Sequence, residues 1–351
     1  MEFTKYDIKE GSTLESIAKE NGVSVKELID FHNSKVPLTQ QIHSDYIPLH
    51  IKSLNVPRPK VAEGYFQYAK MEQGESARYR CEQVNISRIN NETITLSATT
   101  YSEYLVLRNT NNKSHFKIDL TDSSFKVDPE IYKQGFNFAL KLEKVRTPVS
   151  VKLNASGLVE EIFEQEQLLQ RWQQFRDSEL QNDPLFIQLK NQADVQANDL
   201  IRTGDNEFSS MTDFAKTLDK NLFFHILFRA LQGRNLLDYD LIQLSQIFPK
   251  VNVKVHVVKS VVKEDEEKIV YRLVGTLDER NISTNHLKKM YDEIYKPMIN
   301  YAFTEFDYIY RISYTLDKKS GFLMEGKCIL SEKIKNNYEI LTEYIIKQVE
   351  L

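Results

Sequence analysis

The strongest constraint on this chain is a set of long runs in which apolar and polar residues alternate. "ARYRCEQVNISRI", "NETITLSATTYSEYLVLR" and "SHFKIDLTDSSFKV" are rich in β-branched and aromatic residues, and Asn-rich turns such as "NTNNK" separate them. A period of two sends successive side chains to opposite faces of an extended strand. Such runs follow one another directly, so residues 77–161 are expected to form strands of an antiparallel meander. "PVSVKLNASGLVEEI" adds a hairpin turning at Asn154 to Gly157.

The period then changes to that of a helix, over residues 162–248. "EQLLQRWQQFRDSEL" places Leu168, Leu169, Trp172 and Phe175 at helical spacing, so the single tryptophan is expected to be a core anchor. Asp183 is placed to cap "DPLFIQLKNQADVQANDLI", with Pro184 at the favoured first position. "MTDFAKTLDKNLFFHILFRALQ" is the most apolar helix, either core or a groove for a partner. Residues 251–351 return to strands. "KVNVKVHVVKSVVK" and "KIVYRLVGTLD" flank the turn "EDEE", and "DYIYRISYTLDKKSGFLMEGKCIL" forms a further hairpin. Between them Ser283 caps a helix around "STNHLKKMYDEIYK" that Pro297 limits, and "YEILTEYIIKQVEL" ends the chain as strand or helix. The two Ser-Gly hairpins look alike over about a dozen residues, which raises a weak case for a duplicated unit. The fold class is α+β. Residues 65–351 form a body of curved antiparallel sheet with a packed helical layer.

At 351 residues the chain suggests two or three domains. Its 41% hydrophobic and 27% charged residues are those of a soluble globular protein. A net charge of -4 offers no long-range attraction to nucleic acid. No apolar run approaches the ~18 residues that span a bilayer, and "MEFTKYDIKEG" has neither the basic nor the apolar region of a signal peptide. The expected location is cytoplasmic. Cys81 and Cys328 lack any CxxC partner and are expected as buried thiols, with pairing between them left open.

The first residues follow a different plan. "KYDIKEG" is a short strand with Tyr6 and Ile8 on one face, stopped by Gly11. "STLESIAKENG" starts a helix, with Ser12 or Thr13 as cap and Glu15 completing a capping box from Ser12. Leu14, Ile17 and Ala18 share a face, and Gly22 sits where a C-cap belongs. A second helix is capped by Ser24 with Glu27 three residues on, carries Val25, Leu28 and Ile29, and ends at Asn33. "YIPLHI" supplies the second strand. This βααβ order resembles the LysM domain over residues 1–52, carried by Tyr6, Ile8, Gly11, Ser12, Thr13, Leu14, Ile17, Ala18, Gly22, Val23, Leu28, Asn33 and Ile42. The stretch 53–64, with Pro57, Pro59 and Gly64, is expected to be a linker. The resemblance implies a shallow groove for N-acetylglucosamine-containing glycan. Gly11, Ser12 and Thr13 would form one wall, with Asn33 and Ile42 near the other. Ser12 stands where the family prefers Asp, and "IHSDYIPLHI" lacks the family's Gly.

Signatures of chemistry are sparse. There is no GxSxG, HExxH, P-loop or strand-borne GxGxxG. Glu160 and Glu161 are adjacent in a strand and so point to opposite faces, unlike a glycosidase pair. "GDNE" at Gly204 to Glu207 lacks the other ligands of a calcium loop and is expected to be a turn. His32, His43 and His50 match no metal-ligand spacing. No enzyme activity, metal or cofactor is expected. Three functions follow. The first is a non-catalytic intracellular adaptor with protein partners, of the kind found in phage-tail-like contractile injection or secretion machines. The second is a cell-wall protein binding peptidoglycan or a chitin-like glycan. The third is a curved sheet that encloses an apolar ligand such as a lipid.

Overall fold

The structure is a computed structural model. It describes residues 3–57, except 9–11, 22, 38, 39, 43, 45, 49 and 50, and residues 74–350, except 91 and 232–237. The chain divides into two compact units, 1–71 and 72–351.

The first unit is a strand-helix-helix-strand module: β1 (Phe3–Asp7), α1 (Leu14–Glu20), α2 (Val25–Asn33) and β2 (Ser53–Pro57). β1 and β2 pair antiparallel, with Tyr6 opposite Leu54. The second strand thus lies beyond "YIPLHI", in residues expected to begin a linker. Pro48 explains the shift: it has no N–H for a ladder, and its carbonyl accepts from Ile51 N–H at 2.9 Å. Leu54 and Val56 then complete a small core with Leu14, Ile17, Ala18, Leu28, Ile42 and Ile51. The first helix is capped differently from expectation. Thr13 is the N-cap and Ser16, rather than Glu15, closes the box. Ser24 and Glu27 form the second box as expected. The expected C-cap Gly22 and the linker residues after Pro57 lie outside the described residues.

The second unit is built on an 11-stranded antiparallel sheet. Its first half holds β3 (Gly74–Ile89), β4 (Thr93–Asn109) and β5 (His115–Asp128), then α3 (Lys133–Arg146), then β6 (Val149–Leu153) and β7 (Val159–Ile162). The helical layer continues with α4 (Gln165–Gln174), α5 (Pro184–Gln192), α6 (Asp194–Ser209), α7 (Met211–Lys220) and α8 (Leu222–Leu231). The second half holds β8 (Tyr239–Leu244), β9 (Asn252–Glu264) and β10 (Lys268–Leu277). After α9 (Thr284–Ile294) and α10 (Lys296–Ile299) come β11 (Phe306–Asp317), β12 (Leu323–Ile334) and β13 (Tyr338–Val349). The order across the sheet is β7-β6-β5-β4-β3-β13-β12-β11-β10-β9-β8. Every strand therefore pairs with a chain neighbour except at one seam. There β13 runs against β3, from Tyr338 opposite Ile89 to Val349 opposite Arg78.

The sheet curves around α8. Residues Phe223 to Ala230 of this helix are all buried, His225 and Arg229 among them. Tyr104 of β4 stacks on Phe223 with ring centres 3.7 Å apart. The two sheet edges also reach the helix: Tyr239 of β8 lies under the Arg229 guanidinium, and a Cβ on Gly157, in the turn leading to β7, would lie 2.6 Å from the Phe228 carbonyl. Gly157 has φ +73°, so the turn and the close approach both require glycine.

Several expected boundaries move. The stretch 77–161 contains the 14-residue helix α3, whose Phe138, Leu142 and Val145 have helical spacing and pack on the core. The helix expected after Asp183 breaks at Ala193, between α5 and α6. The most apolar helix breaks at Asn221, whose backbone is extended and whose side-chain oxygen accepts from Phe223 N–H at 2.9 Å. Residues 162–248 also include the edge strand β8, and the chain ends in a strand, β13. The two similar hairpins take different places, β6–β7 at an edge and β11–β12 within the sheet. Among the described residues no helix is long and apolar enough to cross a membrane.

Candidate functional site

In the first unit, the four described residues of the five expected to line a groove fall into two pairs. Thr13 is exposed and spends its polar atoms on its own helix turn: Ser16 N–H donates to Thr13 Oγ1 at 3.1 Å, and Thr13 N–H donates to Ser16 Oγ at 2.9 Å. Ser12 precedes it, half-buried. Gly11 lies outside the described residues. Asn33 and Ile42 are brought together across the loop after α2. The Asn33 amide nitrogen donates to the Ile42 carbonyl, and its oxygen accepts from Ile42 N–H, both at 2.8 Å. The Ile42 side chain is buried in the core. Asn33 and Ile42 therefore hold the second loop in shape, and their paired atoms are occupied by each other.

A residue that sequence reasoning set aside completes this brace. His32 is 2% exposed. Asn55 N–H of β2 donates to its Nδ1 at 3.0 Å, which leaves Nε2 to donate to the Gln40 carbonyl at 3.0 Å. His32 thus ties the loop to β2 by backbone contacts alone. The signal for it was its place on the inner face of α2 beside Leu28. His43 and His50 lie outside the described residues. Among the described residues no group of three His, Cys, Asp or Glu side chains is arranged to hold a metal.

The second unit contains a buried polar cluster on α7 and α8. His225 Nδ1 donates to the Asp219 carbonyl at 3.0 Å, and its Nε2 accepts from Tyr310 OH at 2.6 Å. Arg229 Nη1 donates to Asp219 Oδ1 at 2.5 Å. Burial disfavours the charged carboxylate, yet hydrogen bonds and charge from His225 and Arg229 hold Asp219 well below the ordinary range. Burial, reinforced by the Arg229 charge, pushes His225 below its usual value. Lys259, on β9 beside the Tyr271 and Tyr314 rings, is lowered to about 8 by burial and by Arg229. His225 and Tyr310 are each at most 2% exposed. The acid–base groups face one another, and the cluster fastens α8 to β8 and β11.

Other sequence candidates resolve into structure. Residues 204–207 are part of α6 and not a turn. Gly204 leaves room for the Trp172 ring, Asp205 accepts from Trp172 Nε1 at 2.8 Å, and Glu207 pairs with Arg146 at 2.7 Å. Cys81 and Cys328 are buried free thiols. They sit on β3 and β12 with β13 between them, two strand spacings apart, which is beyond disulfide reach. Glu160 pairs with Lys152 at 3.0 Å.

Comparison with known families bears on the first unit. The LysM domain model matches residues 6–31. The N-terminal module carries the LysM match. The match spans the end of β1, α1, most of α2 and the two capping boxes, and a LysM domain suggests binding of glycan such as peptidoglycan or chitin. No curated protein matches the chain. Among solved structures, a lipovitellin structure described for its lipid–protein interactions is 8% identical with a TM-score of 0.36, over 80% of this chain and 26% of that one. The chain thus spans about a quarter of that protein's length. A DUF1329 family protein from Desulfovibrio piger is 8% identical with a TM-score of 0.15, over 79% of this chain and 88% of that one.

Proposed function

We propose that this protein is a non-catalytic glycan-binding protein whose LysM module takes N-acetylglucosamine-containing chains of the peptidoglycan or chitin type. The observation that carries this reading is the LysM match over residues 6–31. The braced loop supports it. Asn33 clamps Ile42 and His32 clamps Gln40, so these two loop residues are fixed to α2 before any ligand arrives. A loop already held in its bound shape loses less entropy on binding.

The test is retention of the full chain on insoluble peptidoglycan and on chitin, beside the Ser12→Arg variant. Ser12 flanks the capping residue without being the cap, so the substitution adds bulk and leaves the α1 box in place. Wild type should be retained and Ser12→Arg released, with unchanged circular dichroism. Failure of wild type to bind either polymer, together with capture of one discrete protein from lysate, would overturn the proposal and restore the adaptor reading.

A further inference from the structure

The second unit has a groove of about 580 Å³ on the helix-bearing face of the sheet. This is within the range of small-ligand sites. Its walls come from β3, β13, β12 and β8 on one side and from α3, α7 and the start of α8 on the other. Side-chain amides and hydroxyls dominate its polar lining, notably Gln83, Asn85, Gln243, Gln246, Thr217 and Thr342.

These amides are anchored at one end. Asn85 Oδ1 accepts from Thr342 Oγ1 at 2.9 Å and from Gln83 Nε2 at 3.1 Å. Gln243 Oε1 accepts from Tyr308 OH at 2.7 Å. Gln246 is placed by its backbone, whose N–H donates to the buried Glu332 carboxylate at 2.9 Å. The anchors leave the Asn85 and Gln243 amide nitrogens as donors and the Gln83 amide oxygen as an acceptor at the groove wall. The orientation of each amide follows from its anchoring bond.

The charged residues lining the groove are Glu143, Arg146 and Lys220, the last exposed at the end of α7. Arg146 pairs with Glu143 and with Glu207, each at 2.7 Å. An anion site would present donors alone, and a cation site acceptors alone. A mixed set of oriented amides beside the aliphatic Leu244 and Leu330 instead suits a ligand whose groups both donate and accept along an otherwise carbon-lined ring. Sugar hydroxyls have that character.

We propose that this groove is a second glycan subsite, binding a neutral oligosaccharide through Gln83, Asn85 and Gln243. The inference rests on the glycan-binding reading of the LysM module for the choice of polymer, and the two sites are separable by mutation. The experiment is a calorimetric titration of the full chain with chitotetraose and with disaccharide muropeptides. It compares wild type, Ser12→Arg, the pair Asn85→Ala/Gln243→Ala, and Thr217→Arg, which fills the groove from α7 without removing any anchor. Ser12→Arg should retain one class of site for at least one ligand. Adding Asn85→Ala/Gln243→Ala should weaken that class roughly tenfold or more, the scale of two lost hydrogen bonds, and adding Thr217→Arg should abolish it.

If Ser12→Arg abolishes all binding seen in wild type, the groove is not a glycan site and the LysM reading stands alone. If Ser12→Arg changes nothing while the groove variants abolish binding, the groove is the site and the LysM reading fails. Absence of binding by wild type to both ligands overturns both.

Discussion

Each unit of the chain buries a histidine to 2% exposure, His32 in the LysM module and His225 in the body, and the two differ in what holds them. His32 bonds to backbone on both sides, Asn55 N–H and the Gln40 carbonyl. His225 bonds to backbone on one side only, the Asp219 carbonyl, and to the Tyr310 hydroxyl on the other, beside the Asp219 carboxylate and Arg229. The difference follows from what each unit has available. The module's core is small, so side-chain polar groups must hold its loops where apolar burial cannot. The body has an extended aromatic core around α8, and its polar cluster fixes how that helix sits against β8 and β11 in the second half of the sheet. Loss of an apolar contact should therefore dominate in the body and loss of a hydrogen bond in the module.

The largest effect tests whether the two units are energetically separate. Phe223→Ala removes a ring that stacks on Tyr104 and meets Tyr79 and Phe224 edge-on. Truncating a buried Phe costs about 3–5 kcal/mol. In a calorimetric scan of the full chain the body's transition should fall while the module's stays in place. Movement of both transitions together would break the comparison.

Acid should act next, and on the body. His225 has a folded pKa below its ordinary 6.5, so between those values the unfolded chain binds a proton that the folded one does not. Stability then falls as pH drops below about 6.5. Asp219 is held below its ordinary 3.8. Its contribution is complete above that value and is lost as pH falls towards the folded pKa. Both groups act in the same direction, in two successive windows. Urea midpoints at pH 8, 6 and 5 should show the first decline, and His225→Gln should remove it while leaving the decline below pH 4.

The module was the more legible unit because its signals are local. Ser24, Glu27, Leu14, Ile17 and Leu28 announce helices within a few residues, and each takes its expected role. The exceptions arise where two local readings competed. Ser12 and Thr13 were both acceptable caps, and the box went to Thr13 with Ser16. "YIPLHI" read as the second strand and the stretch from Ser53 as linker, but the strand forms at Ser53–Pro57, beyond Pro48, which has no N–H for a ladder. In the body, alternation revealed the strands and Trp172 its anchor role. The β3–β13 seam carries no local mark, since it joins residues such as Cys81 and Ile346 that are remote in sequence. The polar cluster was hidden for the same reason: His225 and Arg229 lie in the most apolar helix, and their meaning depends on Tyr310 and Tyr239 from distant strands. Of the residues expected to contact glycan, Asn33 and Ile42 form a bonded pair that no spacing rule joins.

The clasp gives the module's largest expected single loss. Asn33→Ala strips both partners from the Ile42 peptide group, and each buried group left unpaired costs about 1–3 kcal/mol. The module's transition should fall and the body's should not. Glycan retention should weaken with it, because the loop is no longer held. Asn33→Asp keeps the acceptor for Ile42 N–H but sets a carboxylate against the Ile42 carbonyl, so it should restore little.

The smallest effect separates the two capping boxes. At α2, Glu27 Oε2 accepts from Ser24 N–H at 2.9 Å and from Ser24 Oγ at 2.8 Å. At α1 the equivalent acceptor is the neutral Ser16 hydroxyl. A carboxylate in the first turn adds a favourable charge at the positive end of the helix, about 0.3–1 kcal/mol at low salt. Glu27→Gln keeps an oxygen for the Ser24 N–H bond and removes only that charge. Its cost to the module should shrink as salt rises from 10 mM to 500 mM, since charges at the surface are screened. Ser16→Ala removes a hydrogen bond without removing charge, so its cost, on the scale of about 1 kcal/mol for a lost hydrogen bond, should not change with salt. A salt dependence shared by both variants would mean that the boxes act through charge elsewhere in the module. A dependence confined to Glu27 would show that even within this small unit, held by local polar contacts, the contacts differ in kind.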